Sequence, residues 1–390
     1  MFLFDNFIGP KRSLIWILQF WPVIVLSFLC ALAATWLCKK AALKFGIVDS
    51  PDNKVKTHKK PVAYLGGVGI LIGFTVGVLA GIYCLVGKAC LQEATVLLLG
   101  ILAGAAISCF VGVVDDIFDL SPGKKILGQV LAACTLIAVG IMPTLRYSAG
   151  YIGWHMSHHV ELAAGGILVF FFVLGATNSL NLLDGLDGLC GGVTAIITFA
   201  QLLLAIHLST WEFSSVGDPV RIIVCLALFG GVCGFLPFNR HPAKIFMGDA
   251  GSIMLGFNLA ALMILFAENI PRWWMASIVV FGLPILDTAT ALVRRLLNKR
   301  PLFVSDRGHI YDQMIDRGIP LNRTVAICYA LAAAYAMIGV TMSQISTRYA
   351  AIVYLVVIIV SALVIWRMGF LKMEGLRGAR TKSVNSSRSD

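Results

Sequence analysis

Eleven apolar runs constrain this chain more than any other feature: 13–37, 64–87, 94–114, 125–142, 163–179, 190–208, 221–236, 251–267, 273–293, 323–342 and 349–368. A helix needs about 17 to 25 predominantly apolar residues to cross the hydrocarbon core of a bilayer. Only helices and closed barrels satisfy every backbone polar group there. The runs therefore predict an all-α, polytopic membrane protein. Run 221–236 is short and 163–179 starts weakly, so the expected count is ten to eleven transmembrane helices. Composition agrees, with 58% hydrophobic and 13% charged residues over 390 positions. An ordinary soluble domain carries about twice that charge.

The first run follows Lys11 and Arg12 and is followed by Lys39 and Lys40. It is too long for the apolar region of a secretory signal, so an uncleaved membrane helix is expected. The ten cysteines occur singly with no CxxC pair, which reads as small core residues rather than a disulfide or thiolate metal site. There is no repeat of solenoid period and no separate soluble domain. One membrane domain is expected over 1–370, followed by a mobile, basic, Ser-rich tail over 371–390.

Eleven spans put the loops on alternating sides. The set comprising 38–61, 115–125, 180–189, 237–250, 294–322 and the tail holds 23 of the 31 Lys and Arg. Positive residues stay cytoplasmic, so that set is expected inside, with the amino terminus outside and the carboxyl terminus cytoplasmic. The net charge of +11 then reflects basic loops beside anionic lipid and anionic substrates. No nucleic-acid partner is required.

The same face gathers most of the acids, in four segments: VGVVDDIFDLSPGKK, NSLNLLDGLDGL, FNRHPAKIFMGDAGS and FVSDRGHIYDQM. Ionisable residues at membrane depth are costly and are functional candidates by default. In NSLNLLDGLDGL, Asn178, Asn181, Asp184 and Asp187 recur every three residues, so on a helix their side chains fan over half a turn. Gly185 and Gly188 allow unwinding and close approach of a ligand. Asp115 and Asp116 diverge by about 100° on a helix, Asp115 and Asp119 share a face, and Lys124 and Lys125 return positive charge toward the acids. Asp249, between two glycines, suits Mg2+, which takes one or two protein carboxylates plus water and substrate phosphate. KVKTHKKPVAYLGG supplies Lys56 and His58 as cations for phosphates, and His309 lies in the last segment. Each segment alone also fits a helix cap or an ordinary solvated loop. WHMSHH, with His155, His158 and His159, has a helical metal spacing but falls on the outer side, away from the acids.

Taken in order, DD with FDLSPGKK, then NxxNLxDGxDGL, FMGDAGS and DRxHI, the chain resembles the polyprenyl-phosphate N-acetylhexosamine-1-phosphate transferases. The resemblance runs from about Gly46 to Asp316 and leans toward the bacterial undecaprenyl-phosphate N-acetylglucosamine-1-phosphate transferases. It implies a membrane enzyme with a cytoplasmic-face active site in the cell (inner) membrane. That enzyme moves a sugar 1-phosphate from a UDP-N-acetylhexosamine to undecaprenyl phosphate, releases UMP, and uses Mg2+ with Mn2+ as a substitute. A homodimer is compatible with it. The resemblance assigns Asp115 and Asp116 as the catalytic pair and Asp249 as the magnesium ligand. It places Asn181, Asp184 and Asp187 in the nucleotide-sugar pocket, Lys56 and His58 in the first cytoplasmic loop, and His309 in the loop that meets the diphosphate; Asn178, Lys124 and Lys125 are substrate-binding candidates from their own positions beside these residues. One departure stands out: the family's HxHH-type loop reads His309, Ile310, Tyr311, Asp312 here.

The phospho-MurNAc-pentapeptide translocases are the nearest alternative within the family, but VAYLGG and a single loop histidine fit the N-acetylglucosamine branch better. A membrane prenyltransferase would favour a DDxxD rhythm, and a transporter would place its charges near mid-helix. A phosphate monoester acceptor is already largely dianionic near neutrality, so single displacement is expected over a phospho-aspartate intermediate.

Overall fold

A computed structural model describes residues 14–49, 61–150, 153, 156–268, 270–300 and 308–372. After a 3-10 turn at Leu14–Phe20 come α1 (Trp21–Phe45), β1 (Val48–Asp49), β2 (Val62–Ala63), α2 (Gly66–Cys84), α3 (Leu91–Phe118), α4 (Pro122–Ala138), α5 (Leu145–Gly150) and α6 (His158–Leu183). Then follow α7 (Leu189–Ser209), α8 (Gly217–Asn239), α9 (Gly248–Leu265), α10 (Pro271–Val280), α11 (Gly282–Leu297), α12 (Ile310–Asp316), α13 (Leu321–Met342) and α14 (Thr347–Arg367). The two short strands pair antiparallel, and Ala63 also bridges Ile245. The expected tail over 371–390 lies outside the described residues beyond Lys372.

All eleven apolar runs fall on helices. Among the described residues nine helices are long and apolar enough to cross a membrane, or ten if α10 and α11 form one bent span. Run 125–142 becomes α4, whose 17 residues stand at the lower limit for a crossing; counted with the bent pair it gives eleven. Run 273–293 breaks with a 69° bend between α10 and α11. Its cause is local: Pro284 lies in the first turn of α11 and has no N–H to give the Val280 carbonyl one turn back.

The helices differ in where their apolar surface goes. α9 is buried along almost its whole length and packs against α3 and α6, which makes it the hub. α14 leaves Ile352, Leu355, Ile359, Leu363 and Trp366 exposed, as a helix facing lipid does. α11 is apolar on its exposed side, at Ile285, Leu292, Leu296 and Leu297, and carries Asp287, Thr290 and Arg294 on its buried side. Polar residues thus face the bundle interior, the arrangement a bilayer demands.

The start of α9 is wedged between the start of α2 and the end of α3. The Gly66 and Gly67 N–H groups donate to the carbonyls of Phe246 and Met247, each at 3.0 Å. A Cβ on Gly67 would fall within the backbone of Ala250 and Gly251, and one on Gly112 within that of Asp249 and Ala250. Glycine at these two positions lets α2 and α3 approach α9 backbone to backbone. That approach sets the geometry of the acids.

Candidate active site

The first N–H groups of a helix have no intrahelical acceptor. At α9 the missing acceptor is Asp116, near the end of α3: its two oxygens take the N–H groups of Asp249 at 2.9 Å and Ala250 at 3.2 Å. Gly248 enters α9 with φ of 68°, and a Cβ there would overlap the Asp116 carboxylate. Asp116 is therefore an inter-helix cap as well as a site acid.

Asp115 turns elsewhere, as the 100° divergence requires. One oxygen accepts the Leu120 N–H at 2.8 Å and the other meets Lys125 Nζ at 2.8 Å. Lys125 also forms an ion pair with Asp249 and donates to Asn181 Oδ1 at 3.2 Å. Asn181 Nδ2 in turn donates to Asp249 Oδ1 at 2.7 Å and to Ser252 Oγ at 3.1 Å. One ammonium thus holds together acids and an amide from α3, α6 and α9. Asp119 does not join them: it ends α3 with φ of 51° and is exposed. Lys124 is exposed and forms no ion pair among the described residues.

The NSLNLLDGLDGL segment unwinds as its glycines predict, since α6 ends at Leu183 and Gly188 takes φ of 78° before α7. Its four polar side chains nevertheless do not fan toward one ligand. Asn178 donates to Gln129 Oε1 at 3.1 Å and to the Leu174 carbonyl at 2.7 Å. Asn181 serves Asp249. Asp187 accepts the Ala243 N–H at 3.0 Å and pairs with His241 Nδ1 at 2.7 Å. Asp184 alone of the four keeps no such partner among the described residues. Burial pushes its carboxyl well above the usual carboxylate range, helped by Asp249, Asp116 and Asp187. Tyr64, in VAYLGG, is pushed up by burial and then by Asp49, Asp116, Asp184 and Asp249, so its phenol belongs to the same acidic site.

A second wall comes from α11 and α12. His309 Nδ1 pairs with Asp287 at 2.7 Å, and the Tyr311 hydroxyl donates to the Leu182 carbonyl at 2.8 Å. This hydrogen bond docks the His309 loop onto the end of α6. Arg294 and Gln313 both bond the Gly308 carbonyl from inside. Lys56 and His58 lie outside the described residues, as does His155 of WHMSHH. His158 and His159 are exposed, with ring centroids 6.0 Å apart.

The residues fit a hard divalent cation. The Lys125 ammonium already sits among oxygens of Asp115, Asp249 and Asn181, and a pair of carboxylates with room for phosphate oxygens is the donor set Mg2+ takes. Among the described residues no group of three or more His, Cys, Asp or Glu is arranged to hold a metal, so the fit relies on water and substrate oxygens.

Sequence reasoning missed Tyr64, Gln129, Ser252 and Asp287. Asp287 had a signal: it is an acid inside the apolar run 273–293, where an ionisable residue is a functional candidate. The other three are neutral and carry no such mark.

These features define a polar site within a bundle of apolar helices, and the chain belongs to glycosyl transferase family 4. Residues 98–267 match that family. The chain is 30% identical over 375 residues to the probable undecaprenyl-phosphate N-acetylglucosaminyl 1-phosphate transferase of Bacillus subtilis (strain 168), covering 92% of this chain and 93% of the relative. It is 28% identical over 333 residues to the undecaprenyl-phosphate alpha-N-acetylglucosaminyl 1-phosphate transferase of Escherichia coli (strain K12), covering 81% and 82%. It is also 28% identical over 313 residues to the decaprenyl-phosphate N-acetylglucosaminephosphotransferase of Mycobacterium tuberculosis (strain ATCC 25618 / H37Rv), covering 76% of each.

Proposed function

We propose that this chain transfers N-acetylglucosamine 1-phosphate from UDP-N-acetylglucosamine to undecaprenyl phosphate, releasing UMP. The reaction takes place at the cytoplasmic face of the cell membrane, as the first lipid-linked step of a cell-envelope glycan. The observation that carries it is the convergence of Asp115, Asn181 and Asp249 from three helices around one cation, Lys125. The names of the relatives favour N-acetylglucosamine as the sugar.

In this reading an oxygen of the lipid phosphate forms a bond to the β-phosphorus of the donor. The bond from that phosphorus to the oxygen bridging the α-phosphorus breaks, and its electron pair leaves on UMP. The acceptor needs little help as a nucleophile, since its second pKa is about 6. The harder problem is bringing a dianion against an anionic diphosphate. Asp249 with Asp115 would hold Mg2+, which when bound supplies charge neutralisation and orientation of the phosphates. Lys125 adds a cation between the same carboxylates, and His309 adds a donor on the far wall. Both oxygens of Asp116 accept backbone N–H groups and those of Asp115 accept Leu120 N–H and Lys125. Single displacement is favoured because the acceptor phosphate is itself a competent nucleophile.

Purified protein given UDP-N-acetylglucosamine, undecaprenyl phosphate and Mg2+ is expected to release UMP only when all three are present. Asp249→Asn and excess EDTA are each expected to abolish the release. UMP release that survives Asp249→Asn would refute the proposal, as would no release from the intact protein.

A further inference from the structure

His309 is the residue that enters α12, in extended conformation. A Ser or Asp in that position would accept an N–H of its own helix through its side chain, but no side-chain cap comes from His309. The acceptor arrives instead from α11. One oxygen of Asp287 takes the Ile310 N–H at 2.7 Å, and the other pairs with His309 Nδ1 at 2.7 Å. Both side chains are buried, Asp287 at 1% and His309 at 5% exposure. The imidazole stacks on Tyr311 with ring centroids 5.7 Å apart and planes 10° from parallel. Tyr311 is itself anchored to Leu182, two residues before Asp184. The ring is thus fixed by its face, its backbone and one nitrogen. Nε2 has no partner among the described residues.

Capping α12 requires one acceptor oxygen, and an asparagine would supply it. A carboxylate buried in a membrane protein is costly unless its charge is met by donors, and here the second oxygen is spent on the imidazole. A carboxylate at Nδ1 holds the proton there and leaves Nε2 as the working nitrogen. We propose that Asp287 is a positioning residue for His309: its carboxylate keeps a proton on Nδ1 and offsets the charge of the doubly protonated ring, so that Nε2–H donates to a phosphate-bearing ligand. With Tyr311 and Asp312 where the resembled family carries further histidines, this donation falls to a single imidazole. The kinetic part of the proposal rests on the proposed function, which UMP release by the unaltered enzyme tests on its own.

Asp287→Asn separates positioning from capping. Its remaining carbonyl oxygen can still accept the Ile310 N–H, while its NH2 group faces Nδ1 and leaves the ring one proton, on Nε2, and no charge. The expected result is a melting temperature within about 2 °C of the unaltered protein and a loss of kcat/KM of roughly 10- to 100-fold, as partners of functional histidines typically give. In a His309→Ala background the same change is expected to cost nothing more. Unchanged kcat/KM in Asp287→Asn, or losses that multiply in the double variant, would overturn the proposal. A second readout does not depend on turnover. Diethylpyrocarbonate attacks an unprotonated imidazole nitrogen: in the singly protonated ring this is Nε2 beside Asp287 but Nδ1, covered by the amide, in Asp287→Asn. At pH 8 without ligand the rate at His309, read by peptide mass spectrometry, is therefore expected to fall at least threefold in Asp287→Asn. An equal or faster rate would overturn the pairing, whether or not the enzyme releases UMP.

Discussion

Replacing Asp116 tests the link between fold and site most sharply, because its carboxylate ends one helix and begins another. Asp116→Ala removes two charged acceptors from the N–H groups of Asp249 and Ala250, in the first turn of the most buried helix. Losing a helix cap costs about 0.5 to 2 kcal/mol, and here two backbone N–H groups lose their acceptor together. The expected destabilisation is therefore about 1 to 4 kcal/mol. At roughly 2 °C per kcal/mol for a large chain, detergent-solubilised protein should melt some 2 to 8 °C lower. Asp116→Asn keeps one acceptor and turns a donor toward the other N–H, so about half that loss is expected. Asp115→Ala should move the melting temperature less than Asp116→Ala, since Lys125 keeps Asp249 and Asn181 as partners. Equal melting temperatures for Asp116→Ala and the unaltered protein, followed by intrinsic fluorescence, would refute the capping role.

Three further outcomes follow from the same geometry. Lys125→Met leaves Asp115 and Asp249 without their shared cation, a loss of about 3 kcal/mol for a broken, partly buried pair. Its melting temperature in EDTA should fall, and added Mg2+ should recover more for the variant than for the unaltered protein; equal responses to Mg2+ would contradict the cation fit. Asp184 has a folded-state pKa raised above its usual 3.8, so the ligand-free fold binds more protons there than the unfolded chain does and loses stability as pH climbs through that window. Asp184→Asn should therefore melt higher than the unaltered protein near pH 7.5, with the gap closing toward pH 4, and a gap independent of pH would contradict this. Gly67→Ala places a methyl inside the backbone of Ala250 and Gly251, where overpacking typically costs about 1 to 3 kcal/mol; melting and UMP release should fall together, and an unaltered melt would show that α2 can shift away.

Much of this arrangement was legible in the chain because bilayer physics writes itself into composition. Every apolar run became helix, and the acids at their ends came together as Asp115, Asp116, Asp184 and Asp249. What stayed hidden depends on pairing across elements. Period and spacing place Asp115 and Asp116 on different sides of α3, but nothing in VVDDIF says that one caps α9 and the other meets Lys125. Asn181 reads as part of a ligand pocket by its rhythm with Asp184 and Asp187, yet its amide is committed to Asp249, a residue 68 positions away. The bend before α11 was signalled by Pro284 and passed over within a run whose hydropathy was continuous. Asp287 was visible as an acid in that run, while its partners His309 and Ile310 were separated from it by a polar loop.

The most direct test is the lipid product itself. Protein in bilayer nanodiscs, given undecaprenyl phosphate, Mg2+ and an equimolar mixture of UDP-N-acetylglucosamine and UDP-MurNAc-pentapeptide, is analysed by mass spectrometry of the extracted lipids. The expected product is undecaprenyl diphosphate bearing one N-acetylglucosamine, formed in step with UMP and absent in Asp249→Asn. A lipid bearing the MurNAc-pentapeptide, or no diphosphate-linked lipid at all, would contradict it.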